Sequence, residues 1–102
     1  MNIITRKQAK RIDDLFFLYQ APNPFTDPND KWQKVITATW NRYQGTDIGR
    51  VMQRRYIYGE KPEQISNVMG IRVGTVFLWR NEFLIYAALV AIRHGLSIEL
   101  TQ

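Results

Sequence analysis

Residues 83–92 of this chain are apolar almost all the way round a helix, and a surface helix with one covered face cannot bury them. They demand neighbours on several sides. This longest apolar run is ten residues, whereas a membrane span needs about 20, so the expectation is a core helix inside a soluble, cytoplasmic domain with no membrane partner. The start of the chain has no apolar stretch followed by a small-residue cleavage site, which fits that expectation. With 102 residues the chain can enclose one hydrophobic core, and residues 1–102 are read as a single domain. An apolar fraction of 45%, with three Trp, five Tyr and five Phe, excludes a disordered chain.

The rest of the sequence supplies helices to surround that run. Thr5 and Gln8 have capping-box spacing, and Ala9, Ile12, Leu15, Phe16 and Tyr19 follow at helical intervals, predicting a helix over 6–19. Its other face, with Lys7, Lys10, Arg11 and Asp14, reads as solvated. Residues 21–30 hold three prolines, two Asn and two Asp, a loop composition, with Phe25 as an apolar anchor that would keep it ordered. Trp32, Val35, Ile36, Thr39, Trp40 and Tyr43 form one stripe of a second helix over 31–44, ended by Gly45. Asp47 is placed to cap a third helix carrying Ile48, Val51, Met52, Arg55 and Tyr56, stopped by Gly59. Pro62 then suits a first helical turn, a short helix follows over 63–69, and Gly70 separates it from a last helix over 73–93. The fold class is all-α, a five-helix single domain. Trp32, Trp40, Phe16 and Tyr19 are expected to pack the first two helices on the last.

The segment 63–76 is the most informative part. Ile65 and Met69 face inward from the short helix, Gly70 permits a left-handed turn, Ile71 plugs the corner and Val76 anchors the next helix: the five positions of a helix-turn-helix core. With Gln64, Ile65, Ser66, Met69, Gly70, Ile71, Thr75, Val76 and Trp79, the segment resembles region 4 of bacterial sigma factors. Arg54, Arg55, Tyr56, Tyr58 and Gly59 resemble the basic, aromatic and glycine run leading into that motif. The resemblance covers residues 47–88, and size and layout are similar to small phage-encoded late-gene regulators of the ArpU and RinA kind. It implies a DNA-binding module that acts at promoters. The chain departs from the pattern after the corner Ile71, where a Ser or Thr cap is usual and Arg72, Val73 and Gly74 stand instead.

A formal charge of +5, from 14 Lys and Arg against 9 Asp and Glu, suits a polyanionic partner, and double-stranded DNA is the partner expected. Phosphate contacts are assigned to Arg54, Arg55, Lys61, Gln64 and Arg80, with Arg80 also a candidate for stacking on an aromatic neighbour. On the last helix, Val76, Arg80 and Phe83 define the inward side. Phe77, Leu78 and Asn81, together with Arg72, are the candidate base contacts, because apolar groups meet thymine methyls while Asn and Arg pair bidentately with adenine and guanine, and Thr75 is counted with them in the DNA-binding set. A second apolar stripe, Ile85, Ala88, Leu89 and Ile92, predicts a homodimer, since a large wet apolar patch usually marks an interface. RNA polymerase is a further candidate partner.

No enzyme is expected. With no cysteine and the single His94 at a helix end, there is no thiolate, metal or nucleophile set, and the singly spaced glycines make no phosphate-binding loop. Asp13 and Asp14 are adjacent on a helix and point in different directions. No cofactor is expected either. The functional expectation is therefore a sequence-specific transcription regulator of phage or mobile-element type. The alternatives are a small-terminase-like packaging protein and an interaction module that keeps the helix-turn-helix shape.

Overall fold

The computed structural model describes residues 4–19 and 30–96. Over them the chain forms five helices, α1 (Arg6–Leu18), α2 (Lys31–Tyr43), α3 (Asp47–Tyr56), α4 (Pro62–Met69) and α5 (Val73–Arg93), and no strand among the described residues. The all-α expectation holds. Apart from Asp30, the loop expected to be anchored by Phe25 lies outside the described residues.

The starts of α1, α2 and α3 show how orphan N–H groups are satisfied by side chains. At α1 the Thr5 N–H donates to Gln8 Oε1 (2.8 Å) and the Gln8 N–H returns a bond to Thr5 Oγ1 (3.1 Å), the reciprocal box its spacing predicted. Asp30 caps α2 by accepting from the Trp32 and Gln33 N–H groups at 2.9 and 3.3 Å. The Tyr19 hydroxyl donates to the same carboxylate at 2.7 Å, so the end of α1 is tied to the start of α2. The cap of α3 is Thr46, not Asp47: Thr46 Oγ1 accepts from Gly49 N–H and donates to the Tyr43 carbonyl (2.6 Å), while Asp47 is already inside the first turn, paired with Arg50. A threonine hydroxyl can do both jobs at once, and a carboxylate cannot donate. Gly49 fits there because a Cβ would collide with the Tyr43 carbonyl, so the end of α2 and the start of α3 pack backbone to backbone.

Pro62 opens α4, where the Lys61 N–H donates to Gln64 Oε1 (2.8 Å), and α4 closes on Gly70 at φ +67°, in the left-handed region where L side chains are strained. Only Gly70, Ile71 and Arg72 separate α4 from α5. The Ser66 hydroxyl donates to the Ile71 carbonyl and the Ile71 N–H to the Ser66 carbonyl, which fixes the turn.

The demand made by the apolar run is met by α5, which packs against all four other helices. Its 21 residues are long and apolar enough, by those two criteria alone, to cross a bilayer, although the uninterrupted apolar run is only half that length. Here the helix is the axis of the core. Phe83 is the hub: its ring lies 4.8 Å from Phe16 of α1, 5.0 Å from Trp40 and 5.4 Å from Tyr43 of α2, and 6.0 Å from Tyr56 of α3. Offset and edge-on pairs of this kind add to simple burial. Ile12, Val35, Ile36, Val51, Met52, Ile65 and Val76 belong to the same core, with Leu84, Ala87, Ala88, Val90 and Ala91 of α5, and the buried Thr39 hydroxyl is satisfied by the Val35 carbonyl at 2.8 Å.

This arrangement corrects the dimer stripe. Ala88 is fully buried and Ile85 is half-buried, leaving Leu89 (37% exposed) and Ile92 (58%) open. With α1 to α4 placed around α5, much of what looked like a second free stripe is covered by the chain itself.

Candidate nucleic-acid interface

Besides Leu89 and Ile92, α5 emerges from the core along its first half. Leu78 is 68% exposed, Phe77 38%, and Gly74, Asn81 and Glu82 are exposed, while Thr75 is half-buried and Val76 turns inward beneath them. The four positions assigned to base contact, Arg72, Phe77, Leu78 and Asn81, therefore lie on the turn and the first half of α5, with Thr75 of the DNA-binding set among them. Thr75 is the least accessible of them.

The beginning of α5 has no side-chain cap, as expected from Arg72, Val73 and Gly74. The Thr75 and Val76 N–H groups bond back to the Arg72 carbonyl at 3.0 and 3.3 Å, which leaves the N–H groups of the first two helical residues, Val73 and Gly74, without an intrahelical acceptor. A Cβ on Gly74 would meet nothing within 4 Å, so an outside group can approach this backbone closely. With the positive end of the helix dipole and the exposed Arg72 cation beside it, this helix start is suited to an anionic oxygen.

The assigned phosphate contacts divide sharply. Arg55 is a correction: its guanidinium lies between α3 and α1, donating to both oxygens of Asp13 at 3.1 and 2.7 Å, with both side chains largely buried. It also stacks over Phe17 and Tyr56 at 5.4 and 5.5 Å, so it is committed to the fold and cannot present its charge to a ligand. The Tyr56 hydroxyl donates to Asp13 as well. Burial, then the Asp13 charge and the hydrogen bond, push the Tyr56 hydroxyl well above its usual value of 10.0. Arg55 is itself raised, the hydrogen bond and charge of Asp13 overcoming desolvation.

Arg54 bonds both carboxylate oxygens of Glu60 at 3.0 and 3.3 Å and lies over Tyr58, half-buried and charge-matched. Gln64 spends its side-chain oxygen on the Lys61 N–H, and the Lys61 ammonium is exposed. Arg80 stacks over Phe77 at 5.2 Å as expected. Its Nε is buried with no hydrogen-bond partner, and among the described residues no carboxylate pairs with its guanidinium.

Sequence reasoning missed the Asp13 to Arg55 pair because 42 residues separate the partners and no local pattern links them. The Arg54 to Glu60 pair could have been found, since six residues that cross a glycine turn bring opposite charges together. Across the described residues there is no group of three or more His, Cys, Asp or Glu side chains able to hold a metal. His94 is the C-cap of α5, the place its sequence position suggested. No protein-family model, characterised protein or solved structure matches the chain.

Proposed function

We propose that the chain is a DNA-binding protein that uses α4, the turn and α5 as a helix-turn-helix, with the exposed first half of α5 in the major groove. The observation that carries this reading is the composition of that helix start: an uncapped N-terminus with an open Gly74, beside Arg72, Leu78 and Asn81 on the exposed surface. Those groups supply backbone donors for a phosphate, a guanidinium and an amide for base edges, and an apolar group for thymine methyls. A promoter-bound transcription regulator of phage or mobile-element type in the cytoplasm is the biological setting that the resemblance to sigma-factor region 4 suggests.

The competing use of the same surface is protein contact, favoured by the exposure of Leu78 and Phe77. A second copy of the chain would meet Leu89 and Ile92, and an RNA polymerase subunit is the other candidate partner. Anisotropy of a labelled duplex about three helical turns long, titrated across a salt series, separates these readings. Log affinity falling linearly with log salt, with a tighter sequence selectable from a random pool, supports the regulator. Absence of binding at low salt rejects it in favour of the interaction module. Sedimentation on the same samples separates a dimer from the many-subunit ring of a packaging protein.

A further inference from the structure

A cleft of about 620 Å³ runs between the start of α1 and the middle of α5. Arg6 and Lys10 line it from α1, and Phe77, Arg80, Asn81 and Ile85 line it from α5. The cleft is thus bordered by two of the candidate base contacts on one side and by basic side chains of α1 on the other.

Its cations have few competing anions. Arg6 is exposed, and neither it nor Arg80 has a carboxylate partner among the described residues. Lys10 reaches Asp14 at 3.0 Å, but the two side chains are 73% and 59% exposed, and such a pair yields readily to a better anion. Asp13 also lines the cleft, yet its oxygens are already taken by Arg55 and Tyr56. Stacking on Phe77 holds the Arg80 guanidinium in place, and its enclosed, unpartnered Nε is a donor that nothing in the described chain satisfies.

An α-helix about 10–12 Å across nearly fills a major groove about 12 Å wide, so a helix reading bases has a sugar-phosphate strand along each flank. The turn and α4 stand at the N-terminal end of α5, and α1 lies along its middle. We infer that the cleft is a second phosphate-binding bank, in which Arg6 and Lys10, backed by Arg80, hold the DNA strand beside the reading helix. This rests on the DNA-binding reading above. It gives a role to one part of the α1 basic face, and that part is the Arg6 and Lys10 edge, not Lys7 and Arg11.

The decisive comparison is between two variants with the same change in net charge, Arg6→Gln with Lys10→Gln and Lys7→Gln with Arg11→Gln, titrated with the same duplexes across salt. All four side chains are exposed, so both variants should keep the helical fold, with circular dichroism as the check. Two lost contacts at about 0.9 each reduce the log–log salt slope of the cleft variant by roughly 1.8, weaken selected and random sequences alike, and leave the other variant close to wild type. The charge-preserving Arg6→Lys with Lys10→Arg should recover the slope. Equal losses in both double variants, or none in the cleft variant, overturn the second bank while leaving DNA binding intact. A wild type with no DNA affinity at low salt overturns both.

Discussion

Arg55, in the last turn of α3, and Arg72, just before α5, are both read as DNA contacts from the sequence, and the fold places them in opposite environments. Arg55 sits between α1 and α3 with two hydrogen bonds to Asp13 and two aromatic faces against it, whereas Arg72 stands exposed at the uncapped start of α5. The difference is whether a carboxylate is within reach. A cation with a buried partner belongs to the stability of the protein; a cation at an open helix start is available to something else. Net charge counts both equally, so +5 alone does not say which cations are free to meet a polyanion.

The comparison breaks most visibly at Arg55. Arg55→Ala leaves the Asp13 carboxylate largely buried without its cation, and removal of one partner from such a pair typically costs about 3–5 kcal/mol. Urea denaturation should register most of that loss, and any fall in DNA affinity should disappear once the folded fraction is accounted for. A stable Arg55→Ala protein with a flattened salt slope would instead return Arg55 to the surface.

Alkaline pH tests the same network without a mutation. Because the Tyr56 hydroxyl is held above 10.0 in the folded chain, raising the pH past that value ionises it first in the unfolded state, and the unfolded state gains. The contribution is present below pH 10 and is lost as the pH climbs toward the folded value, at up to about 1.4 kcal/mol per pH unit for this one group. Tyr43 acts in the same direction: burial and then the nearby Glu82, which accepts its hydroxyl at 3.2 Å, push it up to about 12. Unfolding free energy should therefore decline above pH 10, and Tyr56→Phe should make that decline shallower. An unchanged slope in Tyr56→Phe would contradict the assignment.

The two regions also differ in what could be read beforehand. Helix positions followed from local rules: the Thr5 and Gln8 box, Pro62 in the first turn of α4, Gly70 in a left-handed conformation and the bounds of α5 each need only a few neighbouring residues. Thr46 takes the cap of α3 in place of the expected Asp47, because both are good caps and only Thr46 can also donate to the Tyr43 carbonyl. The candidate surface on α5 was legible from periodicity. What periodicity could not supply was the environment of each cation. Asp13 reaches Arg55 from another helix, and Ala88 disappears from the dimer stripe because α5 has neighbours on several sides at once.

Arg54 lies between the two extremes, matched by Glu60 but with about a third of its side chain still open. Arg54→Ala should cost about 1 kcal/mol, the upper end for a pair that is not fully enclosed. Because Glu60 already balances its charge, the salt slope of DNA binding should barely change. A drop of about 0.9 in that slope, one phosphate contact, would show that Arg54 leaves Glu60 when DNA is present.

The smallest stability effect belongs to Arg72, and there the largest change should appear in recognition. Its side chain is exposed and makes no capping bond to the start of α5, so Arg72→Ala should shift unfolding free energy by less than about 0.5 kcal/mol. If its guanidinium reads a guanine edge, selection from a random duplex pool should yield sites with relaxed preference at one base pair, a loss of about 1–3 kcal/mol of discrimination there. If it holds a phosphate, affinity should instead fall for every sequence and the salt slope should drop by about 0.9. Comparison with Asn81→Ala sharpens the result, because an amide carries no net charge and can alter base preference without altering the slope. Matching losses of preference in both variants, with a slope change in Arg72→Ala alone, would put Arg72 at the boundary between the strand and the bases. The uncapped N–H groups of Val73 and Gly74 would then lie over the same phosphate.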